Sequence, residues 1–326
     1  MNRILVMRAG ALGDFILTLP VLAALRRQWP RATIELAGHP HIAALGLEAG
    51  LVDAVTRFDD PLWAALLLPD AELRAALRDK LAACDLIVSF TPDADHTLEG
   101  QLRRACRGQV IVHPPTPTSG HAAAHLLAAL EPLGLRPAIE PTLTLPAERV
   151  RWGERWLDAR GVDRARPLVA IHPGSGSARK CWPWERFERV ARELADRHGC
   201  DVLLTFGPAD ERLQARAERV LGAHVHAGTG LSVVELAAVL SLAACCVGND
   251  SGVTHLAAAL GVRTVAVFGP TDPAVWGPLG ERVTIVQGQC PEGPCSRERR
   301  WECARQVCLE RVSVEEVVAA VCSAME

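Results

Sequence analysis

The alternation of short apolar runs with helix-length amphipathic stretches constrains the fold of this chain more than any other feature. Eight apolar runs predict strands, at residues 4–8, 33–37, 85–90, 109–113, 168–172, 201–206, 244–248 and 263–268. Helical spacing predicts helices at residues 15–28, 70–83, 121–130, 183–197, 209–221, 232–242 and 251–260. Strands and helices that alternate on this scale are typical of βαβ units with parallel sheets.

A Pro-rich stretch near the middle divides this pattern into two parts. Arg136–Leu145 reads R-P-A-I-E-P-T-L-T-L and has no clear period, so we place the domain linker there. With 326 residues the chain is long enough for two domains, which we predict at residues 1–140 and 141–326. We expect two Rossmann-like, doubly wound α/β domains that face a central cleft. The last helix, at about residues 313–325, could pack back on the N-terminal domain.

The net charge and the cysteine content limit the classes of partner and the cellular compartment that we expect for this chain. The net charge of −3 supplies no field that would draw the chain to nucleic acid. Eleven cysteines in a long chain indicate reduced thiols, and hence a cytoplasmic protein. The apolar N-terminal stretch resembles a signal peptide, but Asp14 interrupts it and no cleavage site is evident. No uncharged apolar run reaches the roughly 18 residues of a membrane-spanning helix.

Ligands of doubly wound sheets bind at the carboxyl ends of strands, and the densest polar loop of this kind is D-S-G-V-T-H, Asp250–His255. Because a helix is predicted to begin at Ser251, its first amides and dipole favour an anion, most naturally a phosphate. Gly252 would allow close approach, while Ser251, Thr254 and His255 would supply donors. The alternative is that Asp250 or Ser251 only caps the helix.

A second strand-end loop, H-P-G-S-G-S-A-R-K-C-W-P, spans His172–Pro183. Ser175 and Gly176 lie in its flexible part, and Lys180 is a mobile charge suited to a diphosphate. The loop is not a Walker loop, because Arg179 and Cys181 stand where that motif requires Gly and Ser or Thr. A solvated lysine in an ordinary Gly-Ser loop is the alternative.

Two further loops follow predicted strands. Gly10, Gly13 and Asp14 lie in the first, which lacks the full dinucleotide-binding pattern. Asp14 is either a helix N-cap or a carboxylate base that acts across the cleft from the phosphate site. In F-G-P-T-D-P, Thr271 and Asp272 would bind ligand hydroxyls, although a plain Pro-flanked turn explains them equally well.

Taken together, the motifs R-A-G-A-L-G-D, H-P-G-S-G-S-A-R-K-C-W-P, D-S-G-V-T-H-L-A-A-A-L-G and F-G-P-T-D-P resemble those of glycosyltransferase family 9, the heptosyltransferases of lipopolysaccharide core assembly. The resemblance implies the GT-B fold, an ADP-heptose donor, a lipid-linked core acceptor and inversion at the anomeric carbon. It implies an acceptor-binding N-terminal domain and a donor-binding C-terminal domain, at the cytoplasmic face of the inner membrane.

The same resemblance assigns roles to residues. Asp14 matches the family's catalytic base, with Gly10 and Gly13 in the acceptor-side loop. Lys180 and Ser175 would meet the diphosphate, Asp250 would face the sugar, and Ser251, Gly252 and Thr254 would hold phosphate near His255. No D-x-D pattern of metal-binding carboxylates appears in these loops, so we expect transfer without a metal or other cofactor.

Two features remain outside this scheme. Cys290, Cys295, Cys303 and Cys308 are separated by four, seven and four residues, spacings wider than a structural zinc knuckle, so a Cys-rich loop of reduced thiols is favoured over a zinc or iron site. The apolar segment Pro61–Pro69, with Trp63, is either core or a peripheral membrane contact.

Two other function classes stay open at this point. One is a different GT-B enzyme, such as a UDP-sugar transferase or a sugar-nucleotide epimerase. The other is a non-catalytic nucleotide-sugar-binding protein that has kept the fold.

Overall fold

The chain folds into two compact units, Met1–Pro141 and Thr142–Glu326, so the division falls one residue from the expected boundary. The computed structural model describes residues 1–139, 141–290, 295, 303 and 306–326. Each unit contains one parallel sheet with helices in its strand connections.

The first unit is built on a five-stranded parallel sheet. Its strands are β1 (Arg3–Met7), β2 (Thr33–Gly38), β3 (Ala54–Arg57), β4 (Leu86–Ser89) and β5 (Gln109–Val112). Its helices are α1 (Leu12–Gln28), α2 (Pro40–Glu48), α3 (Ala75–Ala82), α4 (Thr97–Ala105) and α5 (Ala122–Ala128). The strand order is β3-β2-β1-β4-β5, so the direction of winding reverses between β1 and β4.

The second unit is built on a six-stranded parallel sheet. Its strands are β6 (Leu168–His172), β7 (Asp201–Thr205), β8 (Val225–Gly228), β9 (Cys245–Asn249), β10 (Arg263–Phe268) and β11 (Val283–Gln287). Its helices are α6 (Ala147–Asp158), α7 (Trp184–Arg197), α8 (Glu211–Ala217), α9 (Val233–Leu240), α10 (Gly252–Ala259), α11 (Pro273–Trp276), α12 (Val307–Glu310) and α13 (Val314–Met325). The order is β11-β10-β9-β6-β7-β8, with the reversal between β6 and β9.

The strands that the apolar runs predicted are all present, and the three that escaped prediction lie at sheet edges. β6, β7 and β9 are buried at every residue, which is why their sequences are nearly continuous apolar runs. The missed strands β3 and β11 have no fully buried residue, and each sits at an edge of its sheet. An edge strand covered on fewer sides carries a weaker apolar signal.

The last helix, α13, packs on the second sheet. It contacts α7 and the strands β9, β10 and β11, and its valines at 314, 317, 318 and 321 are buried in the same core as Val265 and Val267. Ser313 and Glu316 form a capping box that fixes its start. The helix therefore belongs to the second unit, in contrast to the expectation that it packs back on the N-terminal domain.

Candidate active site residues in the two units

The two densest polar loops of the second unit flank the reversal point of its sheet. The loop after β6 and the turn after β9 leave the same edge, because the two strands are parallel neighbours with His172 paired to Gly248. A reversal point separates the adjoining connections and leaves a crevice outside the carboxyl ends of the strands. The fold thus brings together the two segments that the sequence singled out as phosphate-binding.

Asn249 joins these two segments, and the sequence analysis did not single it out. Its side-chain Oδ1 accepts from the amide of Trp182 at 2.8 Å, and its Nδ2 donates to the carbonyl of Pro173 at 2.8 Å. Asn249 is fully buried. The signal that could have identified it is a polar amide at the end of a strand that is otherwise wholly apolar.

Lys180 and Asp250 form an ion pair at this edge. The Nζ of Lys180 lies 2.8 Å from Oδ2 of Asp250, and the side chains are 33% and 7% exposed respectively. The lysine is in a short 3-10 turn, Ala178–Lys180, and its ammonium group is the accessible member of the pair. A buried carboxylate thus holds a solvent-accessible cation next to the start of α10.

Ser251 caps α10, and this bears on the role predicted for Thr254. The hydroxyl of Ser251 accepts from the amide of Thr254 at 3.4 Å. The hydroxyl of Thr254 donates to the carbonyl of Asn249 at 2.6 Å, and Thr254 is fully buried. Because that proton is already engaged inside the turn, the hydroxyl of Thr254 is a structural group here, which differs from the phosphate donor that was expected.

The first amides of α10 are the remaining donors of this turn. In the part of the chain that the structure describes, the amides of Gly252 and Val253 have no hydrogen-bond partner, as expected for the first turn of a helix. His255 is the fourth residue of α10 and is 5% exposed. Its amide bonds to the carbonyl of Ser251 at 3.2 Å. A phosphate at this helix start would therefore meet backbone donors with Lys180 alongside.

The loop after β6 is attached to the turn by Ser175, whose hydroxyl donates to the carbonyl of Asp250 at 2.8 Å. Gly174 is required by packing, since a Cβ there would overlap the carboxylate of Asp210, whereas Gly176 has open space around it. His172 lies beneath this loop, and burial lowers its pKa, although Asp210 raises it. Gly176 is thus the position where the backbone could approach a ligand.

Thr271 and Asp272 follow β10, the next strand along the same edge. Asp272 caps α11 by accepting from the amide of Ala274 at 2.9 Å, so the plain-turn interpretation accounts for its side chain. Thr271 is 3% exposed, and its hydroxyl has no partner within the described residues. Both residues line a cavity of about 430 Å³.

Asp14 lies at the reversal point of the first sheet, in the first turn of α1, which begins at Leu12 with Ala11 as its N-cap residue. Asp14 is therefore not the N-cap itself. Its Oδ1 accepts from Nη2 of Arg8 at 2.9 Å, and its Oδ2 accepts from the amide of Ala11 at 2.9 Å. Arg8 is 5% exposed and Asp14 is 37% exposed. Burial lowers the pKa of Arg8, while Asp14 raises it.

The two glycines of this loop differ in role. Gly10 has a φ of +151°, and a Cβ there would overlap the carboxylate of Asp14. Gly13 is the second residue of α1. The backbone at Gly10 is therefore shaped around a carboxylate whose outer side is accessible to solvent.

The structure holds no disulfide bond among the eleven cysteines, all of which it describes. Within the described residues, the only group of three or more potential metal ligands with ligand atoms within 4.8 Å of one another is Asp93, His96 and Glu99. The carboxylate of Asp93 accepts hydrogen bonds from the amides of Leu98 and Glu99, so it stabilises the first turn of α4. Of the four clustered cysteines, Cys290, Cys295 and Cys308 line the 430 Å³ cavity.

The apolar segment near Trp63 is divided between core and surface. Trp63 and Leu66 are buried in the core of the first unit, whereas Leu67 and Leu68 are 51% and 56% exposed. Trp63 is therefore a core residue. The large apolar side chains of this segment that remain accessible for a membrane contact are those of Leu67 and Leu68. In the described residues, none of the helices combines the length and apolarity needed to span a bilayer.

Comparisons with known proteins agree with these motifs. Residues 133–304 match the model of glycosyltransferase family 9 (heptosyltransferase). Over 293 residues the chain is 30% identical to lipopolysaccharide heptosyltransferase 3 of Escherichia coli strain K12, a match that covers 83% of each chain.

Two solved structures share the fold over nearly the whole length. A family 9 glycosyl transferase from Veillonella parvula DSM 2008 superposes with a TM-score of 0.82 at 21% identity, covering 99% of this chain and 97% of that one. The E. coli ADP-heptose lipopolysaccharide heptosyltransferase II superposes with a TM-score of 0.77 at 16% identity, covering 100% and 98%. The two parallel-sheet units are thus those of the GT-B class.

Proposed function

Because the chain belongs to glycosyltransferase family 9 and is a heptosyltransferase of lipopolysaccharide core biosynthesis, we propose that it moves heptose from ADP-heptose to a lipid-linked core acceptor with inversion. The observation that carries this proposal is the contact of Lys180 with Asp250, directly before the start of α10, whose first two amides have no partner among the described residues. A nucleoside diphosphate needs both a mobile cation and fixed donors, and this edge of the second sheet offers them together.

In the proposed reaction, the acceptor hydroxyl attacks the anomeric carbon opposite the leaving diphosphate. Asp14 takes the hydroxyl proton, which requires an ionised carboxylate within hydrogen-bond reach. The two donors on its oxygens, Nη2 of Arg8 and the amide of Ala11, fix the orientation of the carboxylate in the first unit.

The departing ADP gains negative charge as the glycosidic bond breaks. Lys180 and the amides of Gly252 and Val253 stabilise that charge, and they act as donors placed before the reaction begins. Ser175 and Asn249 hold the two segments in register, so that Lys180 stays beside the helix start. We propose that Asp250 exchanges its contact with Lys180 for one with the sugar. No step of this scheme requires a metal at the reacting centre.

We assign the acceptor to the first unit and the donor to the second. The acceptor is a lipid-linked sugar, so we further infer peripheral contact with the cytoplasmic face of the inner membrane. The exposed Leu67 and Leu68 support such a contact. Co-sedimentation with acceptor-containing vesicles, lost in a Leu67→Ser/Leu68→Ser variant, checks it.

The test is a mass-spectrometric transfer assay in which ADP-heptose is offered with a series of truncated core acceptors. One acceptor in the series should gain the mass of a single heptose, and calorimetry should show ADP binding with no comparable UDP binding. Tight UDP binding without an ADP response would favour a different sugar-nucleotide enzyme. ADP-heptose binding without turnover on any acceptor would favour a binding protein that has lost catalysis.

A further inference from the structure

The proposed function uses the loop after β6 but gives no role to a buried acidic residue that lies against it. This residue is Asp210, which follows β7 and is 8% exposed. Because β7 is a parallel neighbour of β6, with Leu204 paired to Ile171, the loops after both strands leave the same edge of the sheet. A buried carboxylate is costly unless polar partners hold it, so its place beside the donor loop calls for a physical reason.

The carboxylate of Asp210 is fixed by its own turn and by the end of β6. Asp210 occupies the N-cap position of α8, but its side chain makes no capping bond to the described amides of that helix. It turns back instead, and its Oδ2 accepts from the amide of Gly207 at 2.8 Å. Nε2 of His172 lies 3.9 Å from the same oxygen, while Nδ1 of His172 lies 3.0 Å from the carbonyl oxygen of Thr205. The carboxylate therefore has one defined position at this sheet edge.

This carboxylate fills the space that a side chain at position 174 would need. A Cβ on Gly174 would overlap both oxygens of the Asp210 carboxylate. The φ of Gly174 is not positive, so the backbone there does not itself demand glycine. Contact with Asp210 is therefore the reason that the loop after β6 passes so close at this point.

Asp210 also lies near the far end of the same loop. Burial, and after it the carboxylate of Asp210, raise the pKa of the Cys181 thiol to about 11. Sγ of Cys181 donates to the carbonyl of Ser177 at 3.5 Å, so this thiol is part of the folded loop. Lys180 immediately precedes Cys181. One carboxylate thus faces both the bend at Gly174 and the end of the segment that carries Lys180.

From these contacts we propose that Asp210 is a positioning residue of the donor site, whose carboxylate sets the bend at Gly174 and thereby the place of Lys180. The inference rests on the proposed function, in which Lys180 binds the diphosphate. The opposite side of the loop is held by Asn249, whose Nδ2 donates to the carbonyl of Pro173 at 2.8 Å. The loop is thus held between an amide at the end of β9 and a carboxylate after β7. In this role Asp210 acts through Lys180 and makes no contact with the donor.

Calorimetric titration of the full-length chain with ADP tests this role. Asp210→Ala should raise the Kd about tenfold, a scale typical of coupled neighbours. Asp210→Asn keeps the shape of the side chain and an acceptor for Gly207, so its Kd should stay near the wild-type value. Gly174→Ala pushes the loop away from the carboxylate and should raise the Kd about tenfold, as overpacking does. Gly222→Ala is the matched control, because a Cβ there meets no atom within 4 Å, and it should bind ADP like the wild type.

Two double variants separate positioning from direct contact with the donor. In Gly174→Ala/Asp210→Ala the overlap is gone, so the Kd should fall below that of Gly174→Ala alone. In Lys180→Met/Asp210→Ala the second change should add less than about twofold to the loss from Lys180→Met, because Asp210 acts only through Lys180. Losses that multiply in either double variant would overturn the proposal, as would a loss in Asp210→Asn equal to that in Asp210→Ala.

The outcomes distinguish this inference from the proposed function. Wild-type protein that binds no ADP would overturn the proposed donor and the positioning role together. ADP binding that depends on Lys180 but is unaffected by Asp210→Ala and Gly174→Ala would overturn the positioning role alone. If circular dichroism shows that Asp210→Ala does not fold, the comparison of Gly174→Ala with Gly222→Ala decides, since both keep the carboxylate. Equal Kd values for those two variants would contradict the proposal.

Discussion

The reversal points of the two sheets carry ion pairs of opposite orientation. In the first unit Arg8 is 5% exposed and Asp14 is 37% exposed, so a buried cation holds an accessible carboxylate. In the second unit Asp250 is 7% exposed and Lys180 is 33% exposed, so a buried carboxylate holds an accessible cation. One topology thus presents an accessible carboxylate in one unit and an accessible ammonium group in the other, the two groups that we propose as the base and as the diphosphate ligand.

In each pair, the buried partner fixes the position in which the accessible group is presented to solvent. Separating either pair would leave the buried charge of Arg8 or Asp250 without a partner, which is costly. This cost keeps Asp14 and Lys180 in contact with their buried partners. The outer member then has a fixed position and one side turned to solvent. Glycine contributes in both places, because Gly10 makes room for the carboxylate of Asp14 and Gly248 makes room for the hydroxyl of Thr254.

The largest effect should come from removing the accessible carboxylate. Asp14→Asn should lower kcat for heptose transfer by about a thousandfold, within the range of a lost general base, with the Kd for ADP unchanged. The amide keeps the size of the side chain but cannot take the proton. Single-turnover transfer and ADP calorimetry measure the two effects. Asp59→Asn, an exposed acid in the same unit, is the matched control and should retain activity.

Arg8 complicates that variant, because it would be left buried without a carboxylate. The double variant Arg8→Met/Asp14→Asn removes both charges and should recover the thermal stability that Asp14→Asn loses. If the double variant also recovers transfer, Asp14 acts only through folding and is not the base.

Some residues of the two candidate sites could be identified from the sequence, and others could not. The motif loops were identifiable because their glycines and polar residues interrupt apolar strands, as in Asp250–His255 between β9 and β10. Asn249 and Arg8 were missed, since each stands at the end of a strand and its partners are distant in sequence or set by local geometry. The bond from the hydroxyl of Thr254 to the carbonyl of Asn249 was missed for the same reason, because only the folded turn brings the two groups together.

Some elements of the fold could likewise be predicted from the sequence, whereas others could not. Central strands such as β6 and β9 are buried on both faces and are visible as apolar runs. The edge strands β3 and β11 and the helix α6, with only Gly153 and Leu157 buried, carry little apolar signal. Strands that are buried on both faces leave an apolar run in the sequence and can therefore be predicted. Elements with few buried residues leave no such run, so only the structure shows them.

An intermediate effect should come from the accessible cation. Lys180→Met should raise the Kd for ADP about ten- to a hundredfold, the loss expected for charge-assisted hydrogen bonds. Lys180→Arg should retain most of the affinity, because the charge is preserved. Arg189→Met removes an exposed cation from α7, where it pairs with Glu315, and should leave ADP binding unchanged. Equal losses in Lys180→Met and Arg189→Met would indicate general electrostatics and would remove Lys180 from the diphosphate site.

The smallest effect, and the sharpest test of the comparison, should come from the buried carboxylate. Asp250→Asn removes the charge that competes with a diphosphate for Lys180, so the Kd for ADP should fall about threefold, within the range of an ion pair with one solvent-accessible member. ADP-heptose should lose that gain, because we propose that the same carboxylate binds the sugar. Calorimetry with both ligands measures the difference. A parallel change for ADP and ADP-heptose would mean that Asp250 only positions Lys180, as Arg8 positions Asp14, and has no contact with the sugar.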